Sequence, residues 1–218
     1  MLISSGSKCI DSLLGGGIET GTITQLYGSS GTGKTTLCLM FAKSASKSHK
    51  VAYIDTEGLS GERVKQIFKD VSLFSNVYVQ EVFTFRQQAS ALKEVEKLAK
   101  SEKIKLVIVD CFTSLYRSEL EDESRQIKVK RELTAQLTYL LGLARKMDLA
   151  VLITNQMFTD IKTGLDKPLG GTSIDHLSKT ILSLERVGNL RRATLVKHRY
   201  KKEGDSCEFQ ITERGIEP

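Results

Sequence analysis

With 218 residues, 40% of them apolar and 27% charged, the chain is long enough for one globular domain with its own core, and it contains no low-complexity tract. No apolar run approaches the roughly 20 residues that span a bilayer, and no basic segment followed by an apolar core opens the chain, so neither a membrane span nor a secretory leader is expected. The net charge of +6 has a single source: Arg186, Arg191, Arg192, Lys197, Arg199, Lys201 and Lys202 lie between residues 186 and 202 with no acid among them, leaving 25 basic against 26 acidic residues elsewhere. Such an asymmetry points to a polyanionic partner.

In chain order, Ile10-Asp11-Ser12-Leu13-Leu14 reads as a helical turn that runs into the turn glycines Gly15-Gly16-Gly17. A strand follows from Thr22 to Tyr27, then Gly28-Ser29-Ser30-Gly31-Thr32-Gly33-Lys34-Thr35, then a helix over Thr36–Ala45. The strand Val51–Asp55 ends at Thr56-Glu57-Gly58, and Val64, Ile67, Phe68 and Val71 recur at helical spacing after it. Asn76–Val82 reads as a strand, 86–101 as a helix with Ala89, Leu92, Val95 and Ala99 on one face, and Lys105–Val109 as a strand ending in Asp110. A long helix over 124–147 buries Val129, Leu133, Leu137, Leu140, Leu141 and Ala144, and the strand Leu149–Thr154 ends at Asn155-Gln156. Residues 157–170 read as a mobile loop and 171–177 as a helical turn. Thr180–Glu185, Arg192–His198 and Cys207–Ile211 read as strands joined by turns at Gly188-Asn189 and Glu203-Gly204-Asp205. Repeated strand-then-helix units predict an α/β fold: a mostly parallel central sheet flanked by helices, closed by C-terminal antiparallel hairpin strands, all in one domain over 1–218.

The chemistry gathers at strand ends, where open parallel sheets bind ligands. Gly28–Thr35 fits G-x-x-x-x-G-K-[ST], the phosphate-binding loop, between a strand and a helix. Its glycines let several backbone N–H groups converge on a phosphate chain, and the helix N-terminus adds partial positive charge. Residues Gly28, Ser29, Ser30, Gly31, Thr32, Gly33, Lys34, Thr35 and Thr36 are thus nucleotide-binding candidates. Lys34 reaches the β- and γ-phosphates, and Thr35 holds Mg²⁺ with Asp110. Glu57 is the candidate base for an in-line water. Gln156 is placed to sense a terminal phosphate by hydrogen bonding. Cys9, Cys38, Cys111 and Cys207 have no C-x-x-C spacing and read as reduced thiols, which suits a cytoplasmic protein. His49, His176 and His198 show no zinc spacing.

On these residues the chain resembles the RecA/RadA recombinase superfamily, most closely its archaeal RadB branch. The motifs are Tyr53-Ile54-Asp55-Thr56-Glu57-Gly58 with Glu62-Arg63, Leu106–Asp110 running to Ser114-Leu115-Tyr116-Arg117, Ile153-Thr154-Asn155-Gln156, and Pro168-Leu169-Gly170-Gly171. The resemblance spans about residues 4–212. It implies a RecA-like P-loop core that binds ATP with Mg²⁺. Glu57 then matches the catalytic glutamate, Asp110 the second nucleotide-site acid, Gln156 the nucleotide-sensing glutamine and Arg63 an arginine near the adenine. For the branch it implies weak ATP hydrolysis, DNA binding and no strand exchange alone. It also suggests RadA recombinase, a Holliday-junction nuclease or a DNA polymerase as partners, with no residue here supporting either of the last two.

The departures are equally specific. Where the recombinases carry a basic or glycine-rich first DNA loop, Ser118–Ser124 holds four acids in seven residues. The second loop, 157–170, offers only Lys162 and Lys167 against Asp160 and Asp166. The family's aromatic-x-x-Ala tether has no room ahead of the core. DNA binding, single-stranded by preference, is therefore expected at Arg191, Arg192, Lys197, Arg199, Tyr200, Lys201 and Lys202, with Tyr200 stacking on a base. The leading expectation is an ATP- and DNA-binding accessory protein of recombinational repair; an active recombinase and a KaiC-like signalling ATPase are the alternatives.

Overall fold

The computed structural model describes residues 1–120, 122–159 and 166–218. The elements, in order, are β1 (Leu2–Ile3), α1 (Lys8–Leu13), β2 (Ile18–Glu19), β3 (Thr22–Gly28), α2 (Lys34–Ser46), β4 (Lys50–Asp55), α3 (Gly61–Phe68), β5 (Val77–Glu81), α4 (Phe85–Ser101), β6 (Ile104–Asp110), α5 (Ser114–Glu119), α6 (Gln126–Met147), β7 (Ala150–Asn155), β8 (Met157–Thr159), β9 (Asp166–Pro168), α7 (Thr172–Leu177), β10 (Thr180–Val187), β11 (Leu190–Lys197), β12 (Ser206–Thr212) and β13 (Gly215–Glu217).

Nine strands form the central sheet in the order β13-β12-β11-β10-β3-β7-β6-β4-β5. From β10 to β5 every neighbouring pair is parallel, and β10 through β13 pair antiparallel. The α/β architecture expected from the sequence, including its antiparallel C-terminal strands, is therefore present. Alternate residues of each parallel strand feed two cores. Val51, Tyr53, Leu106, Ile108, Ala150 and Leu152 pack with α1, α2 and α3 on one side; Ala52, Ile54, Val107, Val109, Val151 and Ile153 pack with α4, α6 and α7 on the other. Burial on both faces explains why these strands are almost wholly apolar in sequence.

Local signals set the helix bounds. Thr84 and Gln87 form a capping box at the start of α4, and the expected α6 stripe is buried throughout. Val71 is an exception. It is 62% exposed, because α3 stops at Phe68, Lys69 takes a positive φ of 51°, and Val71 opens a 3-10 turn instead.

Three further differences stand out. The ends of the 157–170 loop pair as an antiparallel ribbon, β8 with β9; Asp160, Lys162 and Gly164 lie outside the described residues, as does Glu121 of the acidic stretch. The short β1–β2 and β12–β13 pairings escaped the sequence reading. The reading of all four cysteines as free thiols is also corrected: Cys9 and Cys207, 198 positions apart in sequence, form a disulfide with Cα atoms 6.0 Å apart, because α1 packs on β12. Cys38 and Cys111 are free and buried.

Candidate nucleotide site and basic surfaces

Residues at the carboxyl ends of β3, β4 and β7 face one cleft of about 1440 Å³, which takes in Gly28–Gly31, Gly33–Thr36, Glu57 and Gln156; Asp110, which ends β6, is buried and not part of its lining. The volume exceeds what a single small ligand fills. Arg117, Lys130, Phe158 and Pro168 line its far side.

The phosphate loop is shaped by its neighbours. A Cβ on Gly28 would fall 2.2 Å from the Leu184 carbonyl oxygen, so β10 packs against β3 only if this position has no side chain. Gly33 precedes α2 with φ at 102°, a left-handed conformation that glycine adopts freely. The Lys34 ammonium donates to the carbonyls of Gly28 (2.7 Å) and Ser29 (3.0 Å), and the Thr32 hydroxyl donates to Ser29 O at 2.8 Å. Ile211 of β12 borders Gly33, which places the last strands of the sheet beside the loop. Arg63 donates to the Thr36 hydroxyl (3.2 Å) and to Thr212 O (2.8 Å), so it joins α3, α2 and β12 on that same side.

Asp110, 3% exposed, accepts the Tyr53 hydroxyl at 2.8 Å and the Thr154 hydroxyl at 2.5 Å. Burial pushes the Tyr53 phenol well up, and the Asp110 carboxylate pushes it further, so it remains a donor. One strand away, Asp55 accepts the backbone N–H groups of Glu57 (3.1 Å), Gly58 (3.0 Å) and Leu59 (2.5 Å), fixing the turn that presents Glu57. Glu57 is exposed, and its Oε1 accepts the Gln156 side-chain amide at 2.6 Å.

A buried hydroxyl holds the Gln156 end in place. Thr113 donates to Asn155 Oδ1 (2.7 Å) and accepts the Gln156 backbone N–H (3.2 Å), while Asn155 Nδ2 donates to Leu169 O (2.9 Å). Leu169 N in turn donates to Gln156 O at 2.9 Å, closing the two ends of the second loop on each other.

Among the described residues, no three His, Cys, Asp or Glu side chains gather as a ready-made metal site. Thr35 lines the cleft and Asp110 is buried at the end of β6; one hydroxyl and one carboxylate still match the donor set of Mg²⁺, which keeps waters and takes phosphate oxygens rather than a full protein cage.

The basic C-terminal residues are not one surface. The register sets Arg191 opposite Arg186, at the phosphate-loop end of β10, and Lys197 opposite Ile181 at the other end. Six residues of strand put about 20 Å between them. Several of these cations are also engaged. Arg191 donates to Gly31 O, Arg192 pairs with Glu185 and Glu208, Lys197 donates to the carbonyls of Asp175 and Ser178, and Arg199 pairs with Glu19 at 3.4 Å. Tyr200 is 61% exposed and meets His198 edge-on, with Lys201 and Lys202 beside it.

A second basic cluster stands elsewhere: Arg125 caps α6, and Lys128, Lys130 and Arg131 occupy its first turns, with no acid in the first. Arg125 pairs with Glu119 at 3.3 Å; among the described residues no carboxylate pairs with Lys128, Lys130 or Arg131. Positive side chains at the positive end of a helix dipole are unfavourable unless an anion joins them. Lys128-Val129-Lys130-Arg131 carried that signal in the sequence.

The family model described as Rad51 matches residues 1–218. The DNA repair and recombination protein RadB of Archaeoglobus fulgidus is 72% identical over 218 residues, covering 100% of this chain and 99% of that one. Its namesake in Methanococcoides burtonii is 45% identical over 216 residues, covering 97% and 96%. A solved structure described as the RadB recombinase superposes with a TM-score of 0.85 at 37% identity, covering 99% of each chain. The chain belongs to the Rad51 family and, within it, to the RadB group.

Proposed function

We propose that this chain is an ATP- and DNA-binding accessory protein of DNA repair and homologous recombination, acting in the cytoplasm as a single RecA-like core. It hydrolyses ATP slowly and does not drive strand exchange alone. The observation that carries the ATP reading is that Glu57 and Gln156, which follow β4 and β7 on either side of β6, meet at 2.6 Å in the cleft that the phosphate loop also lines.

In this reading the loop's N–H groups and Lys34 take the phosphates, and Arg63 and Ile211 flank the base side. Thr35 and Asp110 would hold Mg²⁺, Asp110 through water because its oxygens already accept two hydroxyls. The ion, when bound, neutralises phosphate charge. Glu57 orients the attacking water. Its bond to Gln156 must loosen for water to take that place, which supports slow turnover and ties hydrolysis to the second loop.

DNA engages cations without carboxylate partners: Lys201 and Lys202 with Tyr200 at one end of the sheet, and Lys128, Lys130 and Arg131 at the start of α6, of which Lys130 lines the cleft. The names of the relatives support DNA repair and recombination as the setting. RadA recombinase is the proposed protein partner. The edge strand β5, with exposed Val79, and the 73%-exposed Phe83 two residues past its end suit addition of an extended segment.

The test is steady-state ATP hydrolysis with and without single-stranded DNA, for wild type and Glu57→Gln. Slow turnover that DNA does not stimulate and that Glu57→Gln abolishes supports the reading. Strong stimulation by DNA, with filaments in the electron microscope, would replace it with an active recombinase. No DNA affinity at low salt would favour the signalling ATPase.

A further inference from the structure

The β10–β11 hairpin sets two arginines face to face. Arg186 and Arg191 are direct register partners, so their side chains leave the same face of the sheet. Like charges so placed repel. On the other face Arg192 is neutralised by Glu185 and Glu208. Among the described residues, no carboxylate does the same for Arg186 or Arg191.

Both guanidinium groups instead converge on Gly31, at the tip of the phosphate loop. Arg191 Nε donates to the Gly31 carbonyl at 3.0 Å and its Nη1 to Leu190 O at 3.1 Å. Arg186 Nη2 lies 3.0 Å from the point a Cβ on Gly31 would occupy, and its side chain is exposed. One arginine is thus tied down by carbonyl bonds and ties the hairpin to the loop. The other, with no ion pair among the described residues, lies against the tip of the phosphate loop.

A planar guanidinium fork suits two oxygens of one phosphate. We propose that Arg186 is an arginine finger supplied in cis, touching the terminal phosphate of ATP held by the loop, and that Arg191 is its positioning residue. This rests on the ATP reading above. In the step it serves, the water oxygen bonds to the terminal phosphorus as the bond to the β–γ bridging oxygen breaks. The bridging oxygen keeps the electron pair and leaves on ADP, and the water proton passes to Glu57. Arg186 neutralises charge that builds on the transferring group and the leaving oxygen. One chain then holds its own charge-stabilising group and needs no neighbouring protomer for it.

The alternative role for Arg186 is a prop for the loop, and binding separates the two. Calorimetry would measure ADP and ADP with aluminium fluoride, each with Mg²⁺, on wild type, Arg186→Ala, Arg186→Lys and Arg191→Ala, with thermal melts of each. A finger predicts that Arg186→Ala binds ADP within about twofold of wild type but loses about tenfold or more of the extra affinity for the fluoride complex. Arg186→Lys should recover part of it, and Arg191→Ala should fall between. Equal losses for both ligands, or no loss for either, would overturn the finger. A wild type that binds no adenine nucleotide would overturn the ATP reading itself, and the proposal with it, a result that differs visibly from selective loss in one variant.

Discussion

Removal of one buried hydroxyl should loosen the whole switch end of β7. Thr113 is fully buried, and its hydroxyl serves Asn155 Oδ1 at 2.7 Å and the Gln156 N–H at 3.2 Å. Thr113→Val keeps the shape and leaves no cavity, but strands one acceptor and one donor. At about 1–3 kcal/mol for each unsatisfied group, the loss is about 2–6 kcal/mol. That is a large part of the roughly 5–15 kcal/mol typical of a folded domain. At about 2–4 °C per kcal/mol for a chain of this size, the melting midpoint should fall by about 4–24 °C. Urea unfolding checks it, with the midpoint lower and the slope unchanged. Thr113→Ser restores the hydroxyl for the loss of one methyl, about 1 kcal/mol. A loss under about 0.5 kcal/mol in Thr113→Val, or a serine variant no better than valine, would refute this account of the strand end.

Gly28→Ala should fold poorly and lose nucleotide binding in equilibrium dialysis, because its Cβ meets the Leu184 carbonyl at 2.2 Å and β3 can keep β10 only by shifting the loop. Reduction with dithiothreitol should lower the urea midpoint by the equivalent of about 2–5 kcal/mol, since Cys9–Cys207 closes nearly the whole chain; an identical midpoint for Cys9→Ser with and without reductant is the matching control. Burial holds His198 below its ordinary range, outweighing the Leu14 backbone bond and Glu19 that pull it up. The unfolded chain therefore binds that proton first. The stability His198 contributes is full above about pH 6.5 and is lost as pH falls through its lower folded value. His198→Gln should flatten that part of an acid-side urea series.

The parallel sheet was legible because strands buried on both faces read as short apolar runs, and because each run ends in a residue with chemistry: Gly28, Asp110, Gln156. Periodicity found the α6 stripe without error. It overran at Val71, where the spacing continues but the backbone turns at Lys69. What stayed hidden depends on distant packing. No spacing rule pairs Cys9 with Cys207, and nothing local in Thr113 announces its two buried partners. The basic tract from Arg186 to Lys202 misled for a different reason. Adjacency in sequence is not adjacency in space here, because an extended strand carries its two ends about 20 Å apart. The cluster that opens α6 is invisible to a sum of charge along the chain and shows only against the helix dipole.

That same strand has a mechanical meaning. β11 is hydrogen-bonded on both sides, tied at one end to the phosphate loop through Arg191 and continuing at the other into Tyr200, Lys201 and Lys202. A stiff extended segment of this kind behaves as a push rod: a small displacement where nucleotide docks is delivered, with little attenuation, some 20 Å away. Amide hydrogen exchange over 198–204 should then respond to ADP, and lose that response in Arg191→Ala while ADP still binds. An ATP-dependent change in grip at the far edge of the sheet would need no lid and no domain rotation, only the inextensibility of one strand.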